Sequence, residues 1–225
     1  EEDKDLEDII RLAGKVRRTS KNKGKVHVSV STFVPKSHTP FMWLPQISLS
    51  ESRRRIQFIQ KATKDSRIRV KWNQPEMSWL EGVFSRGDRR LTPVLVKAWQ
   101  KGARFDAWSE QFRLDLWQEA FRDAGVDPAF YLHRPRSREE VLPWDHIQCG
   151  VSKEYLEMEW RRAEEGQWTP DCRKKCLDCG VCDHREVQPI LFEEWSVPAK
   201  KEEPLSGRES RKTRKLRITF SKRGP

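Results

Sequence analysis

The chain has 225 residues, 36% apolar and 35% charged, with a mean hydropathy of −0.87. That is polar for a globular protein, yet ten tryptophans and ten phenylalanines argue against a wholly disordered chain, which would be poor in aromatics. No signal peptide opens the sequence and no apolar run could span a bilayer, so a cytoplasmic protein with one sizeable core and an extension is expected.

The net charge of +11 is unevenly spread. Residues 199–225 hold ten Lys/Arg against three Glu, or +7, leaving 35 basic and 31 acidic residues elsewhere, or +4. A solvated linker is the plainer reading of this tail, and a nucleic-acid contact the sharper one.

In chain order, residues 3–19 predict an amphipathic helix with Leu6, Ile9, Ile10, Ala13 and Val16 on one face. The turn-forming Lys21-Asn-Lys-Gly24 leads to a strand over Val26–Val34, closed by Pro35. Ser48 and Glu51 have capping-box spacing and open a helix carrying Ile56, Ile59 and Ala62. A second strand over Arg67–Trp72 ends at Asn73 and Pro75. Helix, strand, helix, strand at this spacing is the rhythm of β/α units in a parallel sheet.

After Pro75 helical patterns take over. One helix holds Met77, Leu80, Val83 and Phe84, and a second is expected to be capped by Thr92 with Pro93 at its first position. A third is expected to be capped by Ser109 and stopped by Gly125, and a fourth capped by Ser152 and stopped by Gly166. Trp108, Trp117, Trp144 and Trp160 read as core aromatics. Ser85-Arg-Gly-Asp-Arg-Arg90 could bind phosphate or carboxylate through guanidinium forks, but reads first as a solvated turn.

Two strands are too few for an independent parallel sheet. The expected fold class is therefore α/β turning to mostly α: the last β/α units of a partial TIM-type barrel (1–74), a helical extension (75–170), a four-cysteine knuckle (171–184), a linker (185–214) and a truncated strand (215–225). Both ends read as cut edges of a longer protein, the upstream part of the same polypeptide being the first expected partner. Parallel β/α folds put active groups at the C-terminal ends of strands. Here those positions hold Lys36, His38 and Thr39 after the first strand and Glu76 after the second. Lys36 and His38 suit an anionic cofactor or substrate, and Glu76 a ribose or amine, whereas the plain alternative for the first loop is a rigid turn.

The most direct pointer to chemistry is Cys172-x3-Cys176-x2-Cys179-x2-Cys182. Thiols this close cannot all pair without strain, but a tight C-x2-C turn brings two sulfurs onto one metal. In a reducing compartment such spacing favours a metal or cluster over disulfides. His146, Cys149 and His184 are weaker candidates for an additional ligand. No phosphate-binding glycine loop, HExxH or GxSxG motif is present.

Several long stretches resemble radical S-adenosylmethionine enzymes, in particular the bacterial group with an N-terminal B12-binding-type domain. They are Val28–Trp43, Trp79–Arg90, Gly102–Ser109, Leu142–His146 and Thr169–Arg173, in the same order. The resemblance covers roughly residues 1–184 and extends to 215–225, which look like the first strand of a small domain fused behind this core. It implies a partial barrel holding a 4Fe–4S cluster and S-adenosylmethionine, radical chemistry on an unidentified substrate, and room for cobalamin. Cys172, Cys176 and Cys179 share the spacing of the family's CxxxCxxC cluster motif, but the family carries that motif after its first barrel strand. Cys182 moreover supplies a fourth thiolate that would close the site. The knuckle is therefore expected to hold structural zinc or an auxiliary iron–sulfur cluster, and this chain alone is expected not to cleave S-adenosylmethionine. Two rival readings are a zinc-knuckle RNA-binding module with a basic tail, and a helical scaffold stapled by zinc.

Overall fold

A computed structural model describes residues 2–21, 24–63, 67–172, 174 and 176–182, all within one compact unit. The expected linker 185–214, the expected strand 215–225 and His184 lie outside the described residues.

The first part alternates helix α1 (Asp3–Thr19), strand β1 (Val26–Val30), helix α2 (Leu49–Ala62) and strand β2 (Ile68–Trp72). β1 and β2 pair in parallel, in register from Val26↔Ile68 to Val30↔Trp72. Period-two alternation leaves Val26, Val28, Val30, Ile68 and Val70 half-buried, while His27, Ser29, Arg69 and Lys71 are exposed. No residue of either strand is fully buried. β1 stops four residues short of the expected Val34. The last ladder-side bond runs from the Asn73 amide to the Val30 carbonyl at 3.1 Å, and the chain then turns into a helix at Pro75, so residues beyond Val30 have no partner strand.

On α1, Leu6 and Ala13 are buried but Ile9 and Val16 are largely exposed, so the predicted apolar face is only partly covered. The Glu2 amide donates to Asp5 at 2.7 Å, one half of an acidic capping box absent from the sequence-based expectation. At α2 only half of the expected box forms. Ser48 Oγ accepts from the Glu51 amide at 3.1 Å, but the Glu51 carboxylate is drawn away by Arg54 and Arg55.

The helical part comprises α3 (Pro75–Ser85), α4 (Thr92–Gln100), α5 (Leu114–Asp123), α6 (Pro128–Leu132) and α7 (Lys153–Glu164). A 3-10 turn over Arg89–Leu91, capped by Asp88, runs straight into α4, so Thr92 is its first residue and not its cap. α5 starts five residues after Ser109, because Phe105–Phe112 closes into successive tight turns. Gly125 and Gly166, with φ of 63° and 64°, follow α5 and α7 as expected, and Ser152 Oγ accepts from the Tyr155 amide at 3.2 Å. One core gathers Leu80, Val83, Val94, Trp117, Phe121 and Leu132. A second gathers Met42, Trp43, Leu142, Trp144 and Leu156. Trp117 and Trp144 are thus core aromatics of the first and second core and Trp160 packs against the second, but Trp108 is 63% exposed on the turns before α5. No helix among the described residues is long and apolar enough to cross a membrane.

The Ser85–Arg90 turn is not simply solvated. Arg86 is fully buried and donates from Nη1 to the Leu44 carbonyl. Opposite it, Arg134, Arg136 and Arg138 alternate along an extended segment and lie over Phe130, Trp144 and Trp160 at 4.7, 5.2 and 3.9 Å from the ring centroids. The outer two pair with Glu140 and Glu157. The middle one, Arg136, is buried and donates to the Arg86 carbonyl at 2.9 Å. This guanidinium seam runs from the α3–α4 turn to the second core.

Candidate functional site

Three places carry the candidate groups. The first is the loop after β1. Lys36 Nζ is paired with Glu81 of α3, which fixes the lysine on the protein's own carboxylate. Thr39 Oγ1 donates to the Lys36 carbonyl at 2.8 Å and tightens the turn. His38 has a φ of 55°, an uncommon left-handed conformation for a side chain of its size. Its Nε2 is buried with no hydrogen-bond partner among the described residues. His38 lines a cleft of about 350 Å³ with Met42, Asp145, Cys149 and Ser152.

The second place is the end of β2. Glu76, in the first turn of α3, accepts from Arg53 Nε at 2.9 Å and Nη2 at 2.5 Å. It lines a separate hollow of about 520 Å³ with Trp72, Gln74 and Phe112. Glu76 and the Lys36–Thr39 loop therefore sit at the C-terminal ends of neighbouring strands but do not share one pocket. Between α1, the end of β1 and α2 lies a larger apolar hollow of about 660 Å³. Its polar lining includes Thr32 and Ser52, whose hydroxyls are hydrogen-bonded at 2.5 Å, and Arg55. Sequence reasoning missed this hollow because its walls come from three elements.

The third place is the knuckle. Cys172 and Cys176 are exposed, and Cys179 and Cys182 are half-buried. The turn over Cys176–Gly180 is shaped by two left-handed residues, Asp178 (φ 55°) and Gly180 (φ 88°). The Asp178 amide points at Cys176 Sγ, 3.4 Å away, an N–H···S contact that stabilises a thiolate there. The Ser152 amide donates to the Cys179 carbonyl at 2.8 Å, docking the turn on the start of α7. Burial, chiefly, pushes the Tyr155 phenol upward, with the charge of Glu159 adding to it. Among the described residues no three His, Cys, Asp or Glu side chains stand close enough to hold an ion as they are placed. The donor set and the turn suit a soft metal. His146 and Cys149 are exposed, and Cys149 Sγ lies 3.8 Å from the Val151 carbonyl.

No protein-family model and no solved structure matches the chain. The chain is similar to an uncharacterized protein of Methanocaldococcus jannaschii, with 35% identity over 95 residues. The match covers 42% of this chain and 20% of that protein, so it spans about a fifth of the relative's length.

Proposed function

We propose that this chain is the C-terminal portion of a radical S-adenosylmethionine enzyme: the closing β/α units of a partial barrel, a helical buttress and a metal knuckle. The observation that carries this reading is the β1–β2 pair. Parallel strands are normally covered on both faces and flanked by neighbours, yet here His27, Ser29, Arg69 and Lys71 form an exposed polar face and no strand residue is fully buried. Such a pair is a fragment of a larger sheet whose polar face would look into the barrel. The resemblance of Val28–Trp43 and the following motifs to this enzyme class supplies the chemistry.

In this reading the cluster that cleaves S-adenosylmethionine is held by cysteines upstream, and cytoplasmic reducing conditions keep all the thiols in use. Cys172, Cys176, Cys179 and Cys182 would converge on one zinc ion or an auxiliary iron–sulfur cluster as it binds, the coupling of binding to local folding usual for such sites. His38 and Thr39 shape the rim after β1, and Arg53 holds Glu76 at the end of β2.

The test is anaerobic reconstitution of the polypeptide with its upstream half, then chromatography for 5′-deoxyadenosine after reduction with S-adenosylmethionine. Turnover by the longer protein and none by this chain is expected. Turnover by this chain alone, or none by the reconstituted longer protein, would overturn the reading.

A further inference from the structure

The guanidinium seam contains an arginine edge that no group among the described residues meets. Four exposed or part-exposed arginines show how this chain uses that edge. Arg53, Arg54, Arg90 and Arg113 each present Nε and Nη2 side by side to one carboxylate, those of Glu76, Glu51, Asp88 and Asp115, at 2.5–3.0 Å. In Arg54, Arg90 and Arg113 the two nitrogens meet the two carboxylate oxygens, the bidentate fork by which arginine reads carboxylates and phosphates, whereas Arg53 brings both to Glu76 Oε1. In Arg86 the same two atoms, Nε and Nη2, are buried and have no hydrogen-bond partner among the described residues. Nη1 alone is satisfied, by the Leu44 carbonyl.

The surroundings deepen the deficit. Arg136 is also buried, and its Nη1 is unpartnered. Two indole N–H groups, of Trp43 and Trp144, are buried and unpartnered as well. Trp43 is tied to this seam by its carbonyl, which accepts from the Arg136 amide at 3.0 Å, and Trp144 by the guanidinium of Arg136 above its ring. The carboxylates that could balance the pair are engaged elsewhere. Glu140 takes both terminal nitrogens of Arg134 at 2.7 Å, and Asp88 takes Arg90 and the Tyr131 hydroxyl. Neither Arg86 nor Arg136 has an ion pair among the described residues. Burial, with the neighbouring Arg136 and Arg134, lowers Arg86 to about 10, which still leaves it charged at neutral pH.

A buried charge without a partner is strongly unfavourable, and a buried fork without an acceptor doubly so. Native interiors fill such gaps with an ordered water or an ion. Water would satisfy donors but bring no charge to two guanidiniums. We propose that the Arg86 fork and Arg136 together form an oxyanion site, taking a phosphate- or carboxylate-type group whose paired oxygens occupy the Arg86 Nε/Nη2 edge. The site lies in the helical part, so it stands whether or not the barrel reading holds.

The experiment uses the whole chain and inorganic phosphate. Phosphate line widths are followed by phosphorus NMR, and thermal midpoints are compared in phosphate and chloride at equal ionic strength. Broadening of the phosphate line and a higher midpoint in phosphate are expected, with binding weakened about tenfold or more in Arg86→Lys, which keeps the charge but loses the fork. Arg138→Lys, whose partner is Glu157, should bind as the parent does. Acetate competing with phosphate would show that the fork also takes carboxylates, as the proposal requires of a planar bidentate site. Equal midpoints in phosphate and chloride with an unbroadened line would overturn the proposal without recourse to any variant. Undiminished binding in a folded Arg86→Lys would do the same.

Discussion

Ser152 and Cys179, 27 positions apart, are joined by a 2.8 Å hydrogen bond from the amide of one to the carbonyl of the other. The same Ser152 caps α7 through its hydroxyl, so one residue both starts the last helix and anchors the cysteine turn. A metal bound at the knuckle would thereby be coupled to order at the head of α7. Chelation of the metal-loaded chain is expected to speed hydrogen exchange of the Ser152 amide while leaving the Leu80 and Val83 amides of α3 protected. Unchanged Ser152 exchange after metal removal would separate the two.

The metal itself is read by composition. Anaerobically purified chain should carry a metal that Cys176→Ser loses. Iron with sulfide and visible absorption assigns an auxiliary cluster, whereas about one zinc per chain without colour assigns a fold staple. A metal-free parent chain, after growth with both metals supplied, would remove the knuckle from the mechanism.

Gly180 is the position where the turn admits no side chain. Its φ of 88° disfavours any other residue, and a Cβ there would lie 2.9 Å from the Gly150 carbonyl oxygen and 3.3 Å from the Ser152 nitrogen. Gly180→Ala is expected to cost about 1–3 kcal/mol locally and to weaken metal retention. Competition with a chromogenic chelator measures this, and parent-like retention would contradict the close packing described.

A second glycine tests the main core. A Cβ on Gly82 would stand 1.9 Å from Gln46 Oε1 and 2.7 Å from Leu132 Cδ2. Gln46 cannot swing away freely, since its Nε2 donates to the Ser78 carbonyl and its amide to the Leu132 carbonyl. Gly82→Ala should therefore destabilise the chain by about 1–3 kcal/mol, seen as a lower urea midpoint. An unchanged midpoint would mean that the loop over residues 42–46 repacks at no cost.

Acid should loosen the α1–α2 contact. Arg54 and Arg55 hold the Glu51 carboxyl at about 2, below its ordinary 4.5, and Arg54 also lowers Asp3. A carboxylate depressed on folding stabilises above its unfolded value and loses that contribution as pH falls toward the folded one, here between 4.5 and about 2. The pair is solvent-exposed, so the effect is expected to be small and to fade with salt. Comparing acid titrations of the parent and Glu51→Gln checks it: the variant should show a shallower loss of helicity in that window.

The helix starts and stops written in short-range chemistry were legible beforehand. Ser152 and Gly166 bracket α7 as their spacing implies, and Pro75 opens α3. Boundaries set by distant partners were not. β1 ends at Val30 because no strand among the described residues faces residues 31–34, and α5 waits until Leu114 because Trp117 Nε1 reaches Asp106 Oδ1 at 3.2 Å across the preceding turns. An arginine in a polar turn gives no sign of burial, so Arg86 read as solvated.

The cysteine spacing, the capping residues and the β/α rhythm belong to the sequence alone, because each depends on groups a few positions apart. The Ser152–Cys179 bond, the separate surroundings of His38 and Glu76, and the buried Arg86 fork were decided only by tertiary packing. Burial and partnership depend on which distant segments meet, and for Arg86 those are residues 44 and 136, each more than forty positions away along the chain or on its far side.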